Sequence, residues 1–238
     1  MTSSENRFRT PVFDREVVVI VGGFGSGKSE VSVNLARVLA QQGDKPVSIG
    51  DLDIINPYFR SREAAEVLAD LGVKSLVPPG SLAEADLPII IPEIKSAIQK
   101  RDGLLILDVG GDDLGARVLS SLRDAFSADS YEFLMVLNLR RPFTSTVEGS
   151  LSVIGEIEDA AGLKLTGIIS NTHLMDDTTD EIILEGLEVS REVAARTGLP
   201  IKFVSMETSI AGRFDPRKIN LPVLTLNREL LKPWEQRR

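Results

Sequence analysis

Short apolar runs alternate along this chain with longer stretches in which apolar residues recur every three or four positions. Val17-Val18-Val19-Ile20-Val21, Leu104-Leu105-Ile106-Leu107 and Phe133-Leu134-Met135-Val136-Leu137 are too short for helices, and they are apolar on both alternating faces, as strands buried on both sides of a sheet must be. Pro46–Gly50, Val73–Val77, Leu165–Ile169 and Ile201–Val204 read as further strands. Between them, Val31, Leu35, Val38 and Leu39 fall on one helical face, and Gly43 stands where a left-handed cap belongs, which predicts a helix over Lys28–Gln42. Further helices are marked by Ala64, Ala65, Leu68 and Leu71 before Gly72, and by Ile94, Ala97 and Ile98 within Pro92–Lys100. Val118, Leu119, Leu122 and Phe126 mark another, as do Val147, Leu151, Ile154 and Ala161 after the capping-box sequence Ser145-Thr146-Val147-Glu148; the last spans Thr179–Arg196. Such alternation predicts an α/β, three-layer fold, a mostly parallel sheet with helices on both faces. Residues 1–15 are polar and aperiodic and read as a loose arm pinned by Phe8 and Phe13, with residues 16–238 as a single domain.

Ligands of such sheets sit beyond the carboxyl ends of the strands, so the polar residues there carry the candidate chemistry. Gly22-Gly23-Phe24-Gly25-Ser26-Gly27-Lys28-Ser29 follows a strand and opens a helix, the context in which this G-x-x-x-x-G-K-S pattern forms a phosphate cradle. Its glycines let backbone N–H groups point at a polyphosphate, Lys28 reaches the β- and γ-phosphates, and Ser29 ligates Mg²⁺. Glu30, in the first helical turn, completes the nucleotide-contacting set. Asp108 ends the strand from Leu104 and reads as the Walker B carboxylate for Mg²⁺, because a buried aspartate without a cation is costly. Asp51 and Asp53 stand at alternate positions of an extended segment and face the same way; Asp51 is assigned to the metal shell and Asp53 to the attacking water. Arg140 and Asn171 end later strands. Tyr58, Phe59, Arg60 and Arg62 follow the aspartate pair as a candidate surface for a partner or substrate, and residues 73–90, the least regular part of the chain, suit a lid or specificity loop.

Composition narrows the function classes. The 238 residues include no cysteine and one histidine, His173, which excludes disulfides, thiolate zinc sites and iron–sulfur ligation by this chain. A net charge of −8 argues against broad nucleic-acid binding, and no apolar window is long enough to span a bilayer, so a cytoplasmic protein without stable membrane insertion is expected.

The loop Gly22–Ser29, the segment Asp51-Leu52-Asp53-Ile54-Ile55-Asn56-Pro57, the motif Asp108-Val109-Gly110-Gly111 and the strand-end Asn171 together resemble the CobQ/CobB/MinD/ParA nucleotide-binding family, within the SIMIBI class of P-loop NTPases. The resemblance covers roughly residues 15–225 by order of elements. It implies ATP and Mg²⁺, with Asn171 contacting the adenine, Asp53 acting in switch I and Asp108 to Gly111 forming switch II. The function implied is a MinD/ParA-like ATPase switch working on an unknown partner, with a homodimer as one arrangement. A kinase or ligase of the dethiobiotin-synthetase or CobQ/CobB type acting on a small acceptor, and an accessory NTPase of metallocentre assembly, are the alternatives. The chain departs from the family at Gly23, where relatives that dimerise around nucleotide carry a second lysine; Arg140 or Arg141 is placed to supply that charge. The guanine-reading pattern Asn-Lys-x-Asp would fall on Asn171-Thr172-His173-Leu174, which lacks both the lysine and the carboxylate, so the residues favour ATP over GTP.

Overall fold

A computed structural model describes residues 7–53, 67–76, 91–111, 113–127 and 129–228. Eight strands form one sheet: β1 (Val17–Gly22), β2 (Val47–Leu52), β3 (Val73–Leu76), β4 (Leu104–Gly110), β5 (Tyr131–Leu137), β6 (Gly167–Ser170), β7 (Ile201–Glu207) and β8 (Val223–Leu226). Their order is β3-β2-β4-β1-β5-β6-β7-β8, and every neighbouring pair is parallel. Parallel neighbours need crossovers, and these are supplied by α1 (Lys28–Gln42), α2 (Ile91–Lys100), α3 (Asp113–Ser121), α4 (Val147–Ala161) and α5 (Asp180–Thr197). This is the three-layer α/β architecture that the apolar runs predict.

The helices are closed by their sequences. Gly43, Gly162 and Gly198 end α1, α4 and α5 in the left-handed region, where a side chain would be strained. Thr146, rather than Ser145, caps α4 by accepting from the Gly149 N–H, and Glu148 turns outward to Arg196. The apolar stripe read through Phe126 breaks earlier: α3 stops at Ser121, and a 3₁₀ turn over Arg123–Ala125 follows.

Alternation within each strand divides the core in two. Val17, Val19 and Val21 pack with Leu107, Met135, Leu119 and Ile154 on one face, whereas Val18 and Ile20 pack with Ile106, Val136, Val31 and Leu35 of α1 on the other. A third cluster lies where β7 and β8 meet α5. The described part of the N-terminal arm packs against the second and third clusters. Phe8 is buried against Phe214, Phe13 stands edge-on to Phe203, and the Val223 N–H donates to the Arg9 carbonyl. The two phenylalanines thus pin the arm as their isolated apolar character suggests. Strand order reverses around β1, so the loops after β1, β4 and β5 open onto one crevice at the carboxyl edge.

Candidate nucleotide site

The loop after β1 owes its shape to glycine. Gly25 and Gly27 have φ of 71° and 89°, in the left-handed region that disfavours side chains. Gly27 is the N-cap of α1 and no side chain caps the helix, which leaves its first N–H groups for a ligand. The loop is held from behind by Asn171 at the end of β6. Its Nδ2 donates to the Ser26 carbonyl at 2.8 Å, and its Oδ1 accepts from Ser205 Oγ of β7 at 2.8 Å. A methyl group on Gly27 would lie 2.4 Å from that amide nitrogen, so the amide and the loop fit only with glycine there. Gly111, after β4, approaches as closely from the other side: a Cβ on it would stand 2.0 Å from the Gly22 carbonyl oxygen.

Three carboxylates meet the loop. Lys28 Nζ lies 2.8 Å from Asp53 Oδ2, both side chains nearly sealed from solvent. Ser29 Oγ donates to Asp108 Oδ2 at 2.6 Å, and Ser32 Oγ, one helical turn on, approaches Oδ1 at 3.3 Å. Asp51 lies opposite Asp108 in the β2–β4 register, and its Oδ1 accepts from the Asp53 N–H at 2.8 Å. Burial pushes the Asp108 carboxyl up to about 6, against the pull of Lys28 and the Ser29 hydrogen bond. Burial also works against the Lys28 ammonium, but Asp108, Asp53 and Asp51 outweigh it and hold Lys28 above its usual value. The donor set of Ser29 and Asp108, with Asp51 behind, suits Mg²⁺, a hard cation that takes one or two protein oxygens and completes its shell with phosphates and water. Among the described residues, no group of three or more His, Cys, Asp or Glu side chains is arranged to hold a metal ion.

Beside the loop a cavity of about 310 Å³ runs from Lys28 and Ser29 past Asn171 to Glu207 and Arg228. Arg141 lines it, with Nε donating to the Gly25 carbonyl at 2.5 Å, while Arg140 pairs with Glu185 of α5. Of the two neighbouring arginines, Arg141 is therefore the one that reaches the phosphate loop, and the candidate role of Arg140 there is corrected: its guanidinium is held on α5 by a carboxylate. Gly23 has open space around its missing Cβ, so packing does not explain the absence of a lysine. Glu207 and Arg228 are site residues that the sequence did not single out. Ser205 and Glu207 put polar side chains at alternate positions near the end of β7, the one signal that the strand ends in a pocket.

His173 lies in the same cavity. Burial, then the charges of Arg141 and Arg228, push its imidazole down to about 4. The unfolded chain takes up that proton nearer pH 6.5, so stability falls by up to about 3 kcal/mol as pH drops from about 6.5 toward 4. NMR of the sole imidazole checks this. Its resonances should keep their neutral positions at pH 5, and a midpoint near 6.5 would contradict the burial effect.

The carboxyl-edge residues expected to converge do so at Gly22–Ser29, Asp51, Asp53, Asp108 and Asn171, and Glu30 lines the cavity. Tyr58, Phe59, Arg60 and Arg62, and residues 77–90 of the candidate lid, lie outside the described residues.

No family model matches the chain. Its sequence is 26% identical over 239 residues to the signal recognition particle 54 kDa protein of Methanopyrus kandleri, an alignment covering 94% of this chain and 46% of that protein. The chain thus spans about half the length of that relative. Among solved structures it is similar to chloroplast FtsY from Physcomitrella patens, with a TM-score of 0.57 and 22% identity over 91% of this chain and 67% of that one. FtsY from Elizabethkingia anophelis in complex with GDP gives a TM-score of 0.53 at 17% identity, covering 91% and 64%. FlhF complexed with GTP/Mg²⁺ gives 0.52 at 14%, covering 82% and 66%. Among the described residues, no helix is long and apolar enough to cross a membrane. An all-parallel eight-stranded sheet, a glycine loop after β1 held by Asn171 and a Ser29–Asp108 pair beside that loop give the chain an α/β P-loop NTPase-like fold, similar to that of the FtsY and FlhF structures.

Proposed function

We propose that this chain is a Mg²⁺-dependent purine nucleoside triphosphate hydrolase that works as a nucleotide-controlled switch. The observation that carries it is the buried ion pair between Lys28 and Asp53. Lys28 is the loop's phosphate-binding cation, and Asp53 is the residue from which the chain leaves β2 for the segment containing Tyr58, Phe59, Arg60 and Arg62. A triphosphate competes for Lys28, and each Lys28–phosphate contact is matched by release of the Asp53 carboxylate. Nucleotide occupancy is thereby coupled to the start of the segment that we assign to partner contact. Mg²⁺ held by Ser29 and Asp108, with Asp51 behind, would supply neutralisation of phosphate charge. Asp53, once free of Lys28, orients the attacking water, and Arg141, fixed on the Gly25 carbonyl, adds positive charge at the loop.

The narrower MinD/ParA-type ATPase assignment rests on Asp51-Leu52-Asp53, Asp108–Gly111 and Asn171. Its choice of ATP relied on the missing carboxylate at Leu174, and Glu207 brings a carboxylate into the cavity from another strand, which removes that ground. GTP and GDP, present in the FlhF and FtsY structures, therefore compete with ATP as the nucleotide.

Asp53→Asn tests the switch. The variant should bind triphosphate as tightly as the parent or several-fold tighter, since Lys28 loses a competitor, while hydrolysis falls by about 100-fold or more, the range for losing a positioned base. Phosphate release at saturating nucleotide, beside a binding isotherm, separates the two effects. An Asp53→Asn protein that turns over like the parent would remove Asp53 from the mechanism. Turnover only with an added carboxylate or alcohol acceptor would replace the switch by a kinase or ligase.

A further inference from the structure

Beyond Asn171 the cavity ends among Ser205 and Glu207 of β7 and Arg228 after β8. We propose that Glu207 reads the base of the bound nucleotide and selects guanine, an inference that rests on the nucleotide-site assignment above. Ser205 and Glu207 are two residues apart on one strand and so project from the same face. Ser205 holds Asn171, and Asn171 holds the phosphate loop at Ser26, so Glu207 stands one step farther from the phosphates on the same side of the sheet.

Its carboxylate is oriented by neighbours. Oε1 accepts from Ser209 Oγ at 3.0 Å, and Oε2 lies 3.6 Å from the Arg228 guanidinium. Arg228 is placed in turn by the residue before it. Asn227 exchanges two hydrogen bonds with Asn34 of α1, at 2.9 and 2.8 Å, and Arg228 also pairs with Asp176 beyond β6. Each carboxylate oxygen of Glu207 accepts more than one bond, so acceptor capacity remains on both. Glu30, the other carboxylate lining the cavity among the described residues, sits beside Ser29 at the phosphate end and accepts from Asn34.

A carboxylate is acceptor-only. Guanine presents two adjacent donors, N1–H and N2–H₂, which it can accept side by side. The matching edge of adenine pairs the N6–H₂ donor with the N1 lone pair, so one carboxylate oxygen would face another acceptor. Recognition of this kind favours guanine by about 10- to 100-fold, the range for one bidentate base contact. Because the carboxylate comes from β7 and not from the loop after Asn171, no local motif announces it.

Competition of GDP, ADP and XDP against a fluorescent guanine nucleotide on the full chain tests the proposal. The parent should favour GDP over ADP by about 10- to 100-fold. Glu207→Gln replaces one acceptor by a donor, which mismatches guanine N2–H₂ and matches the O2 of xanthine, so preference should pass from GDP to XDP by a similar factor. A purely structural Glu207 would weaken all three alike. Equal affinities in the parent, a preference for ADP, or an unchanged GDP to XDP ratio in the variant overturns the assignment of Glu207 and leaves the phosphate site intact. Failure of the parent to bind any of the nucleotides overturns both.

Discussion

Lys28→Ala should weaken triphosphate binding by about 100-fold or more, since two or more charge-assisted contacts to phosphate are lost at about 1.5–3 kcal/mol each. It should also destabilise the ligand-free fold, a consequence peculiar to this site. Among the described residues, Lys28 is a cation set beside Asp53, Asp51 and Asp108, the groups that hold its charge against burial. Removing one member of a buried pair leaves the other charge desolvated, a loss of about 3–5 kcal/mol. The alanine variant therefore loses binding and melts earlier, and calorimetry on ligand-free protein reads the second effect apart from the first. Unchanged affinity would refute the phosphate cradle; unchanged stability would mean that the carboxylates take up protons or another cation in place of Lys28.

The sheet is legible in the sequence because both of its faces are covered, which forces β1, β4 and β5 into continuous apolar runs that no helix or exposed strand would show. Legibility fails where a strand meets the site or an edge. The apolar run of β7 stops at Val204 although the strand continues to Glu207, because Ser205 and Glu207 turn polar side chains into the cavity. β8 follows Pro222 at the edge of the sheet and carries two half-buried residues, so its four residues merge with the polar terminal stretch. The carboxyl-edge aspartate Asp108 stands out in the sequence because a carboxylate closing a fully apolar strand is costly to bury unless a cation or hydrogen-bond donors meet it. The groups that meet these carboxyl-edge residues are not legible in the same way, since the bond from Asn171 to Ser26 spans 145 residues of sequence and depends on which strands lie side by side. Arg140 and Arg141 show the same limit within one turn. They are adjacent in sequence, yet one guanidinium goes to α5 and the other to the phosphate loop, and only the path of the chain after β5 decides which.

The conformation of the site also explains why its charges are stable together. Lys28 binds Asp53 and neutralises Asp108 across the loop, so these charges balance one another without a ligand. In the proposed switch, a nucleotide with Mg²⁺ would replace that network with equivalents, with phosphate taking the place of Asp53 at Lys28. Binding energy would be spent on this exchange, and the part spent at Asp53 would be what the switch transmits.

Asp108→Asn should separate function from folding in the opposite way to Lys28→Ala. The asparagine keeps the size of the side chain and removes a charge that burial disfavours, as the rise of the carboxyl to about 6 records. That rise is already net of the attraction to Lys28 and of the bonds from Ser29 and Ser32, so burial outweighs them and the neutral amide should leave the ligand-free fold at least as stable as the parent. Lys28 retains Asp53 as its partner. Hydrolysis gains nothing from this. An amide oxygen is a far weaker Mg²⁺ ligand than a carboxylate, and the hydroxyl of Ser29 loses the group that aligns it, so turnover should fall by about 1,000-fold, several kcal/mol of metal-dependent transition-state stabilisation. Nucleotide should still bind through Lys28 and the loop N–H groups, with an affinity that no longer rises on adding Mg²⁺. Measuring affinity with and without the metal, alongside turnover and melting temperature, distinguishes the three effects. An Asp108→Asn protein that hydrolyses triphosphate at the parental rate would show that Mg²⁺ is held elsewhere, and one that unfolds would show that the carboxylate's bonds to Ser29 and Ser32 outweigh the cost of burying it.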